Sequence, residues 1–278
     1  MDTEYQKPKE IEERSMQIIE SEMTTRPPRY HAPVVRRVIH ATADFDYERN
    51  LIFSETAVAS ALAALRGGRK NPASGSGPEK DTGKDADSNT DMRVKTGTGT
   101  DTGAGAGAGR ETGGAIIVTD TNMALAGINK GALKRLGCRG VCHMADPDVA
   151  EEALRRGITR AAVSMEKAAR AAGPELFSPE SGKSGEFGDA EQKQAPWIFA
   201  VGNAPTALLR LKELIGEGAV RPALVIGVPV GFVNVVESKE LIMTCGVPYI
   251  VARGRKGGST VAAAICNALL YMAEDSSY

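Results

Sequence analysis

Short runs of apolar residues recur along the chain, and each run ends in a turn rich in glycine or polar residues. A strand covered on both faces of a sheet has this continuous apolar pattern rather than a strict alternation. The pattern therefore predicts five buried strands. They are expected at 115–118, 140–144, 197–201, 223–226 and 248–251.

Between these runs the apolar residues return at helical spacing, which predicts helices at 160–172, 204–216, 234–244 and 259–272. Asn203 and Asn234 precede two of these helices and are expected to cap them, with Glu237 completing a capping box after Asn234. Alternation of strands and helices predicts a doubly wound α/β fold with a mostly parallel sheet of about five strands.

The N-terminal part of the chain has a different pattern. Helices are expected at 9–23 and 55–66, and 32–39 reads as a short helical or extended piece. We interpret these segments as an N-terminal helical cap on the same domain.

Composition changes the picture in two places. Thirteen of the 31 glycines lie between Gly67 and Gly114, a stretch without Leu, Ile or an aromatic residue. Such a stretch cannot bury enough surface to offset its ordering entropy, so we expect a disordered insert at 67–114. A second polar loop insert is expected at 173–195 within a single domain of residues 1–278, and deletion of 75–109 should leave activity nearly unchanged.

Charge and cysteine content exclude several classes of protein. The 34 Lys and Arg residues balance 35 Asp and Glu residues, which argues against partners bound by a broad basic surface, such as nucleic acid or a membrane. The first twenty residues are charged throughout and lack an apolar core, so a secretory signal is not expected and we assign the chain to the cytoplasm. Four cysteines do not make a disulfide scaffold, and the spacing of Cys138, Cys142 and His143 does not favour a metal site.

Candidate ligand-binding residues lie at the carboxyl ends of the predicted strands, where open parallel sheets bind ligands. Glycines there allow close backbone approach, helix N-termini offer free N–H groups, and Arg253, Arg255 and Lys256 add positive charge. This combination predicts a site for several carboxylates or phosphates. Its expected members are Asp120, Asn203, Ala204, Gly231, Phe232, Arg253, Lys256, Gly257 and Ser259.

Histidine is scarce, and its three positions differ in context. His40 lies between basic residues and a run of hydroxyl and acidic residues, where an imidazole can exchange a proton with a ligand. His31 is expected at the surface, and His143 within a buried strand.

Six segments together resemble the precorrin-8X methylmutase family, which includes the cobalt-precorrin-8 methylmutases. They occur in the family's order and span almost the whole chain. The segments are IEERS at 11–15, RVIHATAD at 37–44, TDTNM at 119–123, GNAPTAL at 202–208, GVPVGFVNVVESK at 227–239 and GGSTVAAA at 257–264.

The resemblance implies a flavodoxin-like fold and a homodimer with active sites near the subunit interface. It also implies an isomerase of corrin biosynthesis that moves a methyl group from C-11 to C-12 of the macrocycle without an organic cofactor. The family's catalytic histidine corresponds to His40, and Ser15 matches a substrate-contacting serine. The matching segments add further expected substrate contacts at Arg14, Thr42, Asp44, Thr206 and Asn234.

Three alternatives remain open at this point. The substrate can be precorrin-8 or its cobalt complex, and the cobalt form is favoured only slightly. A non-catalytic tetrapyrrole carrier is a second possibility, although a proton-exchanging His40 argues against it. A nucleotide-binding module is disfavoured because the strand-end glycines lack the spacing of a P-loop or dinucleotide motif.

Overall fold

The computed structural model describes residues 7–67, 114–172 and 195–278. These residues contain six strands that form one sheet. The strands are Leu51–Phe53 (β1), Ile116–Thr119 (β2), Arg139–Val141 (β3), Trp197–Val201 (β4), Leu224–Gly227 (β5) and Tyr249–Ala252 (β6).

Helices precede or connect these strands. The N-terminal helices are Pro8–Glu22 (α1), Ala32–Thr42 (α2), Tyr47–Asn50 (α3) and Ala57–Arg66 (α4). The later helices are Asn122–Gly127 (α5), Lys130–Arg135 (α6), Pro147–Arg156 (α7), Arg160–Ala172 (α8), Pro205–Gly216 (α9), Val235–Ile242 (α10) and Ser259–Glu274 (α11).

The sheet is parallel except at one edge. Its order is β1-β6-β5-β4-β2-β3, and β1 pairs with β6 in the antiparallel direction. Numbered among themselves, the five parallel strands have the order 2-1-3-4-5 of flavodoxin-like doubly wound sheets. The predicted α/β class and the five predicted strands are thus confirmed within one to three residues, and β1 is an additional strand that the pattern did not indicate.

Successive residues of the strands point to opposite faces, and each face is covered by its own helices. Ile117, Ile198 and Ile226 belong to the larger core cluster, which includes residues of α2, α4 and α11. Trp197 and Phe199, whose rings stack with centroids 6.3 Å apart, belong to the second cluster with residues of α8 and α9. Burial on both faces explains why the strands read as continuous apolar runs.

The helix starts differ from the sequence-based expectation. The N-cap of α9 is Ala204 rather than Asn203, and its side chain makes no capping bond. Asn234 does precede α10, but it has a left-handed backbone with φ 58° and its side chain makes no capping bond either. The two predicted Asn caps are therefore wrong.

The described residues all fall in one unit, which spans 1–69 and 112–278. Nearly all of the predicted insert at 67–114 and of the loop at 173–195 lies outside the described residues. The single domain with two inserts therefore stays a prediction. In the described ranges no helix is long and apolar enough to cross a membrane.

Candidate active site

A buried carboxylate organises the carboxyl edge of the sheet between β2 and β4. Asp120 follows β2, is fully buried, and accepts hydrogen bonds from the backbone N–H groups of Gly202 (2.8 Å), Asn203 (2.8 Å) and Ala204 (2.7 Å). Burial raises the pKa of Asp120, and the three N–H donors oppose that rise. Asp120 thus holds the turn between β4 and α9 in place through three backbone N–H groups.

The loops after β5 and β6 pack tightly against each other. The N–H of Gly258 donates to the carbonyl of Val228 (2.8 Å), and the N–H of Gly231 donates to the carbonyl of Arg255 (3.2 Å). Gly257 has φ 159°, and a Cβ there would collide with the carbonyl oxygen of Val228. These contacts explain why glycine is needed at Gly257, where the two loops touch.

The three basic residues after β6 have separate partners. The Nζ of Lys256 lies 2.7 Å from Oδ2 of Asp44 and 2.6 Å from Oδ2 of Asp46, and these carboxylates raise the pKa of Lys256. Arg253 pairs with Glu240 at 3.3 Å. Arg255 stacks over the ring of Phe232, with the guanidinium carbon 5.4 Å from the ring centroid. Two of the three charges expected to bind an anion are therefore already paired with carboxylates.

A cleft of about 360 Å³ opens between α2, α5 and α11. Its lining combines small residues, alanine and glycine, with longer side chains. One of these is His40, which is exposed in the last turn of α2. The lining residues are Arg37, His40, Ala41, Met123, Gly127, Thr260, Ala263, Ala264 and Asn267.

Two other polar side chains of the cleft, those of Arg37 and Asn267, are held by bonds within the protein. Nη1 of Arg37 donates to Glu12 on α1 (2.8 Å). Asn267 accepts the N–H of Asn129 (2.7 Å) and donates to the carbonyl of Gly127 (2.9 Å). Within residues 7–67, 114–172 and 195–278, by contrast, no hydrogen bond of the protein involves the ring of His40, so both of its nitrogens are available to a ligand.

The turn that ends α2 connects His40 to Lys256. Ala43 ends the helix with a left-handed backbone (φ 53°), and its N–H donates to the carbonyl of Ile39 (2.7 Å). Oγ1 of Thr42 donates to the carbonyl of Val38 (2.8 Å) and accepts the N–H of Asp44 (3.3 Å). Thr42 and Asp44 thus shape the end of the helix that carries His40.

The remaining sequence-predicted site residues are spread around the carboxyl edge and α1. Oγ of Ser15 donates to the carbonyl of Ile11 within α1 (2.8 Å), and Arg14 is exposed. Oγ of Ser259, at the start of α11, lies 2.8 Å from Oγ1 of Thr121, whereas Oγ1 of Thr206 lies 2.8 Å from Oγ1 of Thr159. Of all the predicted residues, the cleft contains only His40.

Sequence reasoning missed most of the cleft, although helical spacing contains the signal. Arg37 and Ala41 share the face of His40 on α2, and 260, 263, 264 and 267 follow the i, i+3, i+4, i+7 spacing on α11. A second missed residue is Lys239, which is fully buried on α10 and bonds to the loop after β6.

The other two histidines have structural surroundings that differ from expectation. His143 lies after β3 rather than within it, and its Nδ1 is 2.8 Å from Oδ2 of Asp146. His31 is half-buried and stacks on Phe53 with centroids 4.1 Å apart, and burial lowers its pKa. All four cysteines are free, and in the described part of the chain no three His, Cys, Asp or Glu side chains converge as metal ligands would.

Comparison with known proteins assigns this chain to a class of enzymes. The family model described as precorrin-8X methylmutase matches residues 10–70 and 102–272. A cobalt-precorrin-8 methylmutase of Priestia megaterium is 34% identical over 96% of this chain and 89% of its own length. One of Salmonella typhimurium is 35% identical over 96% of both chains. A crystal structure of precorrin-8x methyl mutase from Thermus thermophilus superimposes with a TM-score of 0.66 at 33% identity, covering 96% of this chain and 99% of that one.

The class is therefore that of isomerases that relocate a methyl group within their substrate. The chain belongs to the precorrin-8X methylmutase family of cobalamin biosynthesis.

Proposed function

We propose that this enzyme moves a methyl group from C-11 to C-12 of precorrin-8 or its cobalt complex, with His40 exchanging a proton with the macrocycle. The observation that carries this proposal is the exposed His40 in a cleft whose lining includes four alanine and glycine residues. We expect these small residues to leave room for one face of a planar ring system, and the longer lining side chains to contact its edge.

The reaction requires the protein only to bind the macrocycle in one conformation and to supply one proton. The carbon–carbon bond at C-11 breaks and a new one forms at C-12, so substrate and product have the same composition. A proton supplied to a ring nitrogen polarises the conjugated system during migration and returns to the imidazole afterwards. General acid–base catalysis of this kind contributes roughly 10²- to 10⁴-fold.

Substrate contacts are proposed on both sides of His40. Arg37 and Arg255 are the basic side chains suited to the peripheral carboxylates of the macrocycle, together with Ser15 and the N–H groups at the start of α11. Arg37 is held by Glu12 and lies over the ring of Tyr271, and Arg255 lies over that of Phe232. Guanidinium groups bind carboxylates in a planar, bidentate manner, so holding them still favours one orientation of the substrate.

We further propose that a homodimer completes the site. A volume of about 360 Å³ lies at the small end of the range for drug-sized ligands, and a tetrapyrrole with its side chains is larger. Met123, Phe232 and Val233 are exposed by 70%, 81% and 76% near the carboxyl edge, which suits contact with a second subunit. Light scattering of the purified chain should give twice the monomer mass, and a monomer that retains full activity would overturn this proposal.

The test of His40 uses two histidine variants. His40→Ala should abolish conversion while the variant still folds and binds pigment, and His143→Ala serves as control because His143 lies outside the cleft. Conversion is followed by absorption spectroscopy and mass spectrometry. Full activity of His40→Ala contradicts the proposal, and a spectral shift in the wild-type protein without formation of the corrin chromophore indicates a carrier instead.

The metal state of the substrate needs a separate measurement. We favour the cobalt complex, in keeping with the names of the two relatives described above. Comparing kcat/KM for precorrin-8 and cobalt-precorrin-8 under anaerobic conditions decides between them, and a clear preference for the metal-free macrocycle would contradict this assignment.

A further inference from the structure

Lys239 is a buried charge that the proposed reaction does not use. It is fully buried on α10, and its Nζ donates to the carbonyl oxygens of Gly254 (2.7 Å) and Lys256 (2.8 Å). Within the described ranges no carboxylate lies at ion-pair distance from Lys239, and burial lowers its pKa to about 8. Removing an ammonium from water without a carboxylate partner is unfavourable. What Lys239 contributes to the folded protein must therefore come from its bonds to these two carbonyl groups.

Those two carbonyls belong to the loop between β6 and α11, whose backbone departs from ordinary geometry. Gly254, Gly257 and Gly258 have φ values of 81°, 159° and 130°. Such a loop gains little rigidity from its own residues, because glycine is free in the unfolded chain and loses the most entropy on ordering. The buried Nζ of Lys239 holds this loop by two hydrogen bonds, one to a carbonyl on either side of Arg255.

The same loop bridges to the helix that carries His40. Lys239 binds the backbone carbonyl of Lys256, and the side chain of Lys256 bonds to Asp44 and Asp46. Asp44 lies four residues after His40 and directly follows Ala43, the residue with a left-handed backbone that ends α2. A continuous set of bonded groups therefore leads from Lys239 to the last turn of α2.

We propose that Lys239 is a positioning residue for His40, acting through the loop after β6 and the bridge from Lys256 to Asp44 and Asp46. The inference rests on the proposed role of His40. It assigns to Lys239 an effect on the rate of methyl migration rather than on substrate affinity, because a small misplacement of a catalytic group lowers the rate strongly.

The experiment replaces both lysines in the full-length chain. Lys239→Met, which keeps the length of the side chain, should lower kcat roughly 10- to 100-fold and change KM less than about twofold. Lys256→Met should lower kcat by a similar factor, and the double variant should be no slower than the slower single variant. Independent, multiplicative losses or a loss confined to KM would overturn the inference.

Two further measurements separate this inference from general misfolding and from the role of His40. Lys167→Met is the matched control, because Lys167 pairs with Asp146 and Asp148 on another part of the molecule, and the kcat of this variant should not change.

The imidazole NMR resonances of His40 should shift in Lys239→Met and in Lys256→Met but not in the control. Unchanged resonances in both variants overturn the inference even if His40 is catalytic. Shifted resonances together with an active His40→Ala would refute the proposed function of His40 and the rate effect of Lys239, although Lys239 would still position the ring of His40. Lys256→Met keeps the test decisive if Lys239→Met does not fold, since Lys256 is 46% exposed.

Discussion

Buried charges occur in two regions of this molecule, and their partners differ. At the carboxyl edge of the sheet, Asp120 bonds to three backbone N–H groups and Lys239 to two backbone carbonyls. On the face made by α7, α8 and α9, Glu166 bonds instead to the side chains of Arg156 (2.6 Å) and Arg210 (2.7 Å). A charge bonded to backbone constrains a loop, whereas a charge bonded to side chains links helices and leaves their backbone unchanged. We therefore expect the first region to control activity and the second to control only stability.

Asp120→Asn should have the largest effect. The substitution replaces one carboxylate oxygen by an NH₂ group, which leaves at least one buried N–H at Gly202, Asn203 or Ala204 without an acceptor. Each unsatisfied buried group destabilises by about 1–3 kcal/mol, so we expect a loss of about 3 kcal/mol and reduced activity. Denaturant unfolding and turnover measure the two effects, with Asp148→Asn as the exposed control. Wild-type stability in Asp120→Asn would show that the turn does not depend on the carboxylate.

Glu166→Gln tests the opposite region and should lower the free energy of unfolding by about 2 kcal/mol without changing kcat or KM. The Arg156 and Arg210 bonds lower the pKa of Glu166. Its stabilising contribution is accordingly present above the ordinary carboxyl pKa and is lost as pH falls through the lowered one. The stability difference between wild type and variant should vanish at low pH. A lower kcat in Glu166→Gln would contradict the expectation that the second region controls only stability.

Lys239 gives a pH-dependent effect in a different window, at alkaline pH. Its pKa is about 8 in the folded chain and 10.5 ordinarily, so both states carry the charge at pH 7. Between pH 8 and 10.5 the folded state has lost the proton and the unfolded state keeps it, so the stability of the wild type relative to Lys239→Met should rise. We expect a gain of about 3 kcal/mol across this window, since one pKa unit corresponds to about 1.4 kcal/mol. A flat difference would mean that the buried amine is not perturbed.

The smallest effect is expected for an exposed pair on the outer surface of the second region. Arg155 bonds to Glu152 at 2.7 Å on α7, but its side chain is 68% exposed. Exposed pairs contribute about 0–1 kcal/mol, so Arg155→Ala should change neither activity nor stability measurably. A substantial loss of stability would show that the helical face depends on its outer charges as well as on Glu166.

The sequence predicted those parts of the fold that depend on local patterns. Five parallel strands follow from continuous apolar runs, whereas β1 has only three residues and is ordered by pairing with β6. The helices α5 and α6 have six residues each, too few for a period to show. The role of Asp120 at the turn after β4 could not be read from a local pattern either, because Asp120 lies 82 residues before Gly202, whose N–H it accepts.

In the candidate site, too, the sequence predicted only what depends on neighbouring residues. His40 could be singled out from its neighbours in the chain, and the helical spacing of α2 and α11 would have added Arg37, Thr260 and Asn267. The pairing of Lys256 with Asp44 could not be foreseen, since 212 residues separate them. Composition suggested a basic pocket there, and only the structure shows that its charge is partly paired.

The stacked pair of Trp197 and Phe199 has a practical consequence. Trp197 is the single tryptophan of the chain, and it lies in the core at the amino end of β4, opposite the edge where Asp120 and the loops meet. Its ultraviolet emission is thus an intrinsic reporter of the sheet itself. Unfolding curves read from it reflect loss of the whole core, while substitutions around the cleft leave the fluorophore's immediate surroundings intact.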